Sequence, residues 1–390
     1  MGTYDDYRLS KIGNYFENIV EFDATGIDKI TINLEEAGTL PDRIASSTKY
    51  QITNLKIIGE INGTDLKMIR EMAGSSSNDG KLSVLDLSEA KIVEGGDCYY
   101  TDGYFNSKYY TSNDVIGSYA FSGCSGLTSL TLPAGITSIG SYAFSSCSGL
   151  TSLTLPAGIT EIGDVAFSDC SGLTSLALPS GITSIGSYAF SGCSGLTSLT
   201  LPAGITEIGH HAFYRCSGLT SLTLPAGITK IGNSTFEGCS GLTSLNLPAG
   251  ITGIGRNAFD GCSGLTSLTL PAGITFIGDG VFRGCSGLTS LNLPAGITGI
   301  GSSAFSSCSG LTSIYVYAEK VPKIGYDTFE GFDAKKCTLY VPMGTRDDYW
   351  VSDFGDYFEN IVEFDATGID KTTTSTDVEE VARYSVNGQR

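Results

Sequence analysis

Nine cysteines recur at a spacing of 23 residues, and each begins nearly the same phrase. From Cys124 the phrase reads CSGLTSLTLPAGITSIGSYAF, and the nine positions are Cys124, Cys147, Cys170, Cys193, Cys216, Cys239, Cys262, Cys285 and Cys308. A fixed period of this size indicates one structural unit stacked many times. A stack of this kind has broad surfaces and no built-in catalytic pocket, so the repeat favours binding over catalysis.

The first half of each repeat predicts a β-strand. Leu127, Leu130 and Leu132 form an L-x-x-L-x-L pattern whose last part alternates apolar and polar residues. This alternation predicts that the leucines are buried and that Ser129 and Thr131 point outward. The proline that follows has no N–H to give to a neighbouring strand, so the strand ends there.

The second half of each repeat is predicted to add five more apolar side chains to the core. Ile136 and Ile139 predict a shorter extended segment. Ala143, Phe144 and Cys147 follow at spacings that suit a single helical or 3₁₀ turn.

Because the period is strict, equivalent residues of successive repeats should stack into ladders. Leu130 is expected beside Leu153, about 4.8 Å away, as in parallel strands. One repeat buries too little apolar surface to offset the entropy of ordering its own chain. Stability must therefore come from neighbouring repeats, and both ends of the stack need caps.

The pattern L-x-x-L-x-L with a 23-residue period resembles the leucine-rich repeats. The fuller pattern LTSLTLPxGITxIGxxAFxxCSG, strongest over residues 112–317, is similar to the BspA-type class found on bacterial surfaces. The resemblance implies an α/β leucine-rich repeat solenoid that is rich in β-structure. Each coil, as we call one repeat, would hold one strand of a parallel sheet, a short second strand and a helical or 3₁₀ turn, and a small strand-helix cap would precede the coils.

The ends of the chain carry a duplication. Residues 1–28 recur almost verbatim as residues 343–370, where they follow a coil-like strand and would close a solenoid. The first copy has no preceding strand in this chain, so we expect either a fragment of a longer tandem array or a start codon placed at an internal methionine. We expect five segments: 1–28, a terminal-cap segment of an upstream module; 29–111, an N-terminal cap; 112–317, the solenoid; 318–366, a C-terminal cap; and 367–390, a linker and the start of a sorting segment.

The N-terminal cap is expected to combine strands and a helix. Strands are predicted over residues 30–34, 52–57 and 82–87. Thr64 is the predicted N-cap of a helix with the sequence DLKMIREMA, and Gly74 is predicted to end that helix.

The chain carries a formal charge of −18, which argues against nucleic acid or an anionic membrane as a partner. No run of 18 apolar residues occurs, so no transmembrane segment is expected, and no signal peptide is visible. Residues 381–390, VARYSVNGQR, resemble the opening of the sorting domains that Bacteroidetes use for type IX secretion. We therefore expect a secreted or cell-surface protein with a truncated sorting segment.

The repeated cysteines are interpreted as a ladder of buried free thiols, because each occupies an inward position that a small apolar residue fits. Zinc is disfavoured, since no C-x-x-C pair and no nearby histidine accompanies them. Adjacent His210 and His211 occupy positions that vary from repeat to repeat, and a variable surface is favoured over a ligand site. No calcium loop or phosphate loop is present. We expect no catalytic residues, no metal, no cofactor and no enzymatic activity.

An insertion between Leu87 and Ile116 is the strongest candidate for a binding site. Its sequence, EGGDCYYTDGYFNSKYYTSND, mixes aromatic rings with Gly, Ser, Asn and Asp, a composition typical of adaptable binding loops. The predicted ligand-binding residues are Tyr99, Tyr100, Tyr104, Phe105, Tyr109 and Tyr110. The alternative is that these rings fold over the first coil as a cap, and the sequence leaves both interpretations open.

A second candidate surface is the outward row of the strands, which is rich in hydroxyl groups. The row consists of Thr131, Thr154, Ala177, Thr200, Thr223, Asn246, Thr269, Asn292 and Tyr315. A regular row of this kind suits repetitive ligands such as glycans.

The resemblance to BspA-type proteins implies an adhesin-like role, because that family is associated with attachment to host matrix proteins and to other cells. The expected partners are host matrix or cell-surface proteins, with glycans as a further class. Two alternatives stay open: a glycan- or mucin-binding module, and a passive structural spacer. We expect a monomer or part of a longer tandem array.

Overall fold

A computed structural model describes residues 21–366, except 24–25, 47, 76–79 and 334. The segment 1–20, the predicted linker and the sorting segment lie outside the described residues, and so does most of the expected N-terminal copy of the duplicated cap. The chain divides into two compact units, Met1–Ile182 and Thr183–Arg390. Each unit is a parallel-strand solenoid.

The first unit contains the N-terminal strands and helices, the insertion and the first coils. Its elements are β1 (Glu21–Asp23), β2 (Gly26–Leu34), α1 (Leu40–Arg43), a 3₁₀ turn (Lys49–Gln51), β3 (Asn54–Ile61), α2 (Gly63–Met72), β4 (Val84–Ile92), β5 (Gly95–Thr101), β6 (Lys108–Thr111), β7 (Val115–Ile116), β8 (Ser129–Thr131), β9 (Ser138–Ile139), β10 (Ser152–Thr154), β11 (Glu161–Ile162) and β12 (Ser175–Ala177). The main sheet has the order β1-β2-β3-β4-β8-β10-β12, a second sheet contains β11-β9-β7, and β5 and β6 form a hairpin.

The second unit continues the same pattern and ends in a cap. Its elements are β13 (Ser184–Ile185), β14 (Ser198–Thr200), β15 (Glu207–Ile208), β16 (Ser221–Thr223), β17 (Lys230–Ile231), β18 (Ser244–Asn246), β19 (Gly253–Ile254), β20 (Phe276–Ile277), β21 (Ser290–Leu293), β22 (Gly299–Ile300), β23 (Ser313–Val316), β24 (Lys323–Ile324), β25 (Thr338–Pro342), α3 (Arg346–Trp350) and β26 (Asn360–Phe364). Its long strands pair as β14-β16-β18 and β21-β23-β25-β26, and its short strands as β13-β15, β17-β19 and β20-β22-β24.

The predicted ladders of identical residues are confirmed. Leu130 lies opposite Leu153, and Leu222 lies opposite Leu245, in parallel register. The leucines of each strand are buried, and Thr131 and its equivalents along most of the row are exposed, as the alternation predicts.

The turn segment of each coil differs from the expected helical or 3₁₀ turn, because it consists of consecutive hydrogen-bonded turns. Tyr142 and Ser146 adopt left-handed backbone conformations, with φ of 60° and 61°, which interrupt any helix. Their N–H groups donate to the next coil, from Tyr142 to the carbonyl of Asp164 (2.9 Å) and from Ser146 to that of Ser168 (2.7 Å). Hydrogen bonds between coils thus replace those within a helix.

Phenylalanine rings and cysteine thiols fill the core beneath these turns. The rings of Phe213 and Phe236 stack with centroids 5.5 Å apart and planes within 2° of parallel. The thiol of Cys239 donates to the carbonyl of Phe213 at 3.1 Å, and Cys262 does the same to Phe236 at 3.1 Å. All nine ladder cysteines are buried free thiols, as predicted.

The N-terminal strands pair directly with the first coil through β4 and β8, and helix α2 adds a second contact. The buried guanidinium of Arg70 donates to the carbonyls of Tyr119, Ala120 (3.0 Å) and Ser122 (3.1 Å). These carbonyls belong to the turn segment of the first coil. Those of Ala120 and Ser122 have no earlier coil to donate to them, whereas that of Tyr119 also accepts from the Ser122 N–H at 3.1 Å. Arg70 therefore supplies the hydrogen-bond donors that a preceding coil supplies elsewhere in the stack.

Helix α2 begins two residues earlier than predicted. Asn62, not Thr64, is its N-cap, because the Asn62 side chain accepts from the Thr64 N–H while Asp65 accepts from the Asn62 N–H. Gly74 follows the helix at a φ of 79°, in keeping with its predicted role. The Thr64 hydroxyl instead accepts from the Asp97 N–H at 2.9 Å, which ties the helix to the insertion.

The C-terminal segment covers the last coil with aromatic side chains. The buried Tyr349 hydroxyl donates to the Ala318 carbonyl at 2.8 Å. Tyr315, predicted to belong to the outward row, is only 1% exposed because the rings of Tyr340 and Phe364 cover it.

The duplicated segment pairs differently in its two copies. In the second copy, β26 runs parallel to β25, with Glu363 opposite Val341. In the first copy, Glu21, the equivalent of Glu363, lies opposite Lys29 in an antiparallel pair with β2. The same residue types thus form an edge strand in both places, antiparallel to its neighbour in the first copy and parallel in the second.

Candidate functional site

The insertion folds into the β5–β6 hairpin, which lies against helix α2. Its backbone pairs Gly95 with Thr111, Tyr100 with Tyr109 and Thr101 with Lys108, with a register shift between the first two pairs. The hairpin thus brings the six predicted binding residues into one element. It also divides them into two groups with different roles.

Tyr99 belongs to the core. Its side chain is 5% exposed, and its hydroxyl donates to the Ser118 carbonyl at 2.8 Å. Burial raises its pKa to about 12. Tyr99 therefore fixes the hairpin to the first coil and is not available to a ligand.

Tyr100 and Tyr109 hold the base of the hairpin on the coil. The ring of Tyr100 stacks on that of Tyr119, and the ring of Tyr109 lies 4.9 Å from Tyr119 at a tilted angle. The Arg70 guanidinium lies 5.0 Å from the centroid of the Tyr100 ring, within the range of a cation–π contact. These half-buried rings have the packing expected of a cap.

The tip of the hairpin presents the other aromatic residues to solvent. Tyr104 is 87% exposed and Phe105 is 76% exposed, and their rings meet edge to face with centroids 4.7 Å apart. Tyr110, on the second strand, is 52% exposed.

Hydrogen bonds order the backbone of this exposed tip. The Asp102 carboxylate accepts from the N–H groups of Tyr104 (3.1 Å) and Phe105 (3.0 Å). The Asp102 N–H donates to the Ser107 carbonyl at 2.9 Å, and Asn106 adopts a φ of 56°. The two rings are thus held at a defined tip, which lowers the entropy lost when a partner binds.

The strand face offers a shallower surface. In the second unit, strands β14 and β16 border a groove of about 490 Å³. Thr200 and Thr223 lie on its exposed side, and Leu199 and Leu222 form its floor. The groove has hydroxyl groups and no charged side chain among its lining residues.

The variable positions of the coils have a backbone role that the sequence does not reveal. The His210 Nδ1 accepts from the Asn233 N–H at 2.8 Å, and the Asn233 side chain accepts from the Arg256 N–H at 3.0 Å. The Asp279 carboxylate accepts from the Ser302 N–H at 3.0 Å in the same way. An acceptor side chain at this position therefore forms a hydrogen bond with a backbone N–H of the next coil.

His211 has different surroundings from His210. Its ring stacks on that of Tyr188, with centroids 4.3 Å apart, and burial lowers its pKa. Within the described part of the chain, no group of three His, Cys, Asp or Glu side chains is arranged to hold a metal ion.

Among the described residues, no helix has the length and hydrophobicity of a transmembrane span.

No curated protein matches the chain. The chain is similar to several proteins of known structure. A leucine-rich repeat protein from Bacteroides ovatus ATCC 8483 shares 28% identity over 68% of this chain and 67% of its own, with a TM-score of 0.56.

Two further structures show lower structural similarity. A leucine-rich repeat protein from T. pallidum shares 33% identity over 45% of this chain and 82% of its own, with a TM-score of 0.41. A leucine-rich cell surface protein from Faecalibacterium prausnitzii A2-165 shares 22% identity over 72% of this chain and 88% of its own, with a TM-score of 0.33.

The family profile agrees with the repeat pattern. The profile of the BspA type leucine-rich repeat region, which describes six copies of the repeat, matches residues 97–220 and 206–335. These matches cover more than half of the chain and include every cysteine of the ladder. The chain therefore belongs to the BspA-type leucine-rich repeat family.

Proposed function

We propose that the chain is a non-enzymatic, adhesin-like protein that binds macromolecules of a host or of other microbes through the tip of the β5–β6 hairpin. The observation that carries this proposal is the exposure of Tyr104 and Phe105 on an ordered tip. Burial of two neighbouring exposed rings of this size against a partner makes the free energy of binding more favourable.

The rings of the hairpin differ in what they contact, and this difference supports the proposal. Tyr99, Tyr100 and Tyr109 pack against the first coil, so they anchor the hairpin without contacting a partner. Tyr104 and Phe105 make no such contact with the coils, and their only ring partners among the described residues are each other. Aromatic residues of this kind are enriched among the residues that dominate protein interfaces.

The expected partners are host matrix or cell-surface proteins. This expectation rests on the association of BspA-type proteins with attachment, and a mixture of aromatic and small polar residues suits protein surfaces. We propose that the protein acts at the cell surface or outside the cell, in a Bacteroidetes species, after type IX export. It would act as one chain or as one module of a longer array.

An array of purified extracellular-matrix proteins and glycans tests the proposal. The intact protein is compared with a Tyr104→Ala/Phe105→Ala variant, which keeps the anchoring rings, and with a Tyr326→Ala variant. Tyr326 is also 87% exposed but lies in the second unit, so it controls for the loss of an exposed ring. We expect at least tenfold weaker binding to a matrix protein for the hairpin variant alone. Equal binding by all three proteins would contradict the proposal.

A further inference from the structure

A row of five residues in the second unit has a composition unlike the rest of the coils. Lys230, Gly253, Phe276, Gly299 and Lys323 are the first residues of the short strands β17, β19, β20, β22 and β24. Lys230 lies opposite Gly253, Phe276 opposite Gly299, and Gly299 opposite Lys323 in parallel register. We call these five residues the lysine–phenylalanine row.

Phe276 is an exposed ring at the centre of this row. It is 53% exposed, whereas the next residue, Ile277, is fully buried. The ring leans over Gly299, since its Cδ2 and Cε2 atoms lie 3.0 and 3.1 Å from where a Gly299 Cβ would be. Because glycine occupies both neighbouring strands, no side chain from them covers the ring.

The lysines at the two ends of the row carry charges that are not neutralised. Lys230 and Lys323 are exposed, and neither forms a salt bridge within the described residues. The Lys230 stem leans along the row, with its Cγ 3.8 Å from where a Gly253 Cβ would be.

Other charges near the row form pairs. Arg256 pairs with Asp279 at 3.2 Å, and Arg283 pairs with Asp260. Glu207 holds the equivalent position at the start of β15. It lies on the side of Lys230 away from Phe276, and so not between the two lysines. The surface around Phe276 is therefore aromatic at its centre and positive on both sides.

We propose that the lysine–phenylalanine row binds an acidic polysaccharide with one carboxylate on every second sugar. A pyranose ring has an apolar C–H face that stacks on an aromatic ring, and Phe276 offers such a ring. Each lysine stands two strands from Phe276, about 10 Å away at the usual spacing of parallel strands. This distance is close to the length of two linked pyranose rings. When an acidic sugar stacks on Phe276, the carboxylates of the next acidic sugar on each side would therefore meet the lysines.

The same observations argue against other ligands. A single ring without surrounding apolar side chains lacks the buried cluster that dominates a protein interface. Strand β20 pairs with β22, and β19 lies beside its other edge, so an added strand has no room to pair with it. A dense polyanion such as nucleic acid would be repelled by the formal charge of −18, whereas a sparsely charged glycan needs only the two lysines.

Binding of hyaluronan oligosaccharides, measured by calorimetry at two salt concentrations, tests this proposal. The intact protein should bind hyaluronan, and Phe276→Ala should weaken binding at least tenfold. Lys230→Gln/Lys323→Gln should weaken it to a similar extent and remove most of the salt dependence. Gly253→Glu should abolish it, because the substitution adds a negative charge between Lys230 and Phe276 at a position with room for a Cβ.

The controls separate this site from the hairpin and from non-specific charge effects. Tyr104→Ala/Phe105→Ala should bind hyaluronan as the intact protein does, so the hairpin proposal can fail without affecting this one. Thermal unfolding should show all variants folded, since the substituted side chains are exposed. Absence of hyaluronan binding, unchanged binding by Phe276→Ala, or equal binding of dextran or polyglutamate would each overturn the proposal.

Discussion

The ring of Tyr100, in the hairpin, stacks on the ring of Tyr119, in the first coil, with centroids 4.5 Å apart and planes 14° from parallel. Tyr119 in turn stacks on Tyr142 of the next coil at 4.6 Å. The hairpin therefore continues a row of rings that belongs to the coils. Its base is held by the repeat, while its tip stays exposed.

Replacing Tyr119 should loosen the hairpin. Tyr119→Ala removes the surface on which Tyr100 and Tyr109 pack, and aromatic pairs contribute about 0.5–1.5 kcal/mol each beyond the area they bury. We expect the amides of residues 95–111 to exchange with solvent at least tenfold faster, as measured by hydrogen exchange with mass spectrometry. Tyr188→Ala is the matched control, because Tyr188 holds the equivalent left-handed position in a coil of the second unit and stacks on His211. Equal exchange in the two variants would show that the ring stack does not support the hairpin.

Stability should fall steeply in alkali. Burial raises the pKa of the Cys239 and Cys308 thiols to about 12, against an ordinary value of 9.0. Above pH 9 the unfolded chain releases protons that the folded chain retains, so folding is fully favoured below this pH and weakens as the pH rises toward 12. Each such thiol lowers the free energy of unfolding by about 1.4 kcal/mol per pH unit.

Urea unfolding at pH 8 and at pH 10 measures this slope. Cys239→Ala should reduce this slope by the contribution of one thiol. Thiol titration of the native protein at pH 8 should find Cys98 reactive and the ladder cysteines protected. A slope independent of Cys239, or ready labelling of the ladder, would contradict the buried-thiol account.

Two adjacent substitutions test the phase of the strands. Leu199 is 6% exposed, and Leu199→Asp would place an unpaired carboxylate among leucines, at a cost of several kcal/mol. Thr200 is exposed, and Thr200→Asp should change the free energy of unfolding by less than about 0.5 kcal/mol. Thermal unfolding of both variants decides the matter, and equal losses of stability would contradict the assigned strand faces.

Removing Arg70 should uncouple the N-terminal cap from the first coil. Arg70→Met keeps the apolar stem but leaves the carbonyls of Ala120 and Ser122 without their donor, at a cost of about 1–3 kcal/mol. Lys67→Met, on the exposed side of the same helix, should cost little. Similar unfolding midpoints for the two variants would argue against the capping role of Arg70.

The strict period made the core of the coils predictable. Leu130 faces Leu153 because identical residues at a constant spacing must occupy equivalent places in a stack. The backbone of the turn segment was less predictable. Tyr142 and even β-branched Val165 adopt positive φ, a conformation that neither residue type favours, because hydrogen bonds between coils determine it.

The candidate site was predictable as a segment but not residue by residue. Tyr99 and Tyr100 are neighbours in the sequence, yet one is buried and the other lies on Tyr119, because successive side chains of a strand point to opposite faces. The sequence does not show which face of the hairpin packs into the core. Arg70 was missed because its partners are about fifty residues away. A basic residue on the apolar side of a predicted helix was the available signal, since a buried arginine must find acceptors.

We expect Tyr104 and Phe105 to contact the partner while Tyr99, Tyr100 and Tyr109 anchor the hairpin. Oxidative footprinting of the protein, free and bound to a matrix protein selected on the array, tests this claim directly. The account predicts that oxidation of Tyr104 and Phe105 falls at least fivefold on binding, while that of the equally exposed Tyr326 is unchanged. Unchanged oxidation of Tyr104 and Phe105 in the bound protein would contradict it.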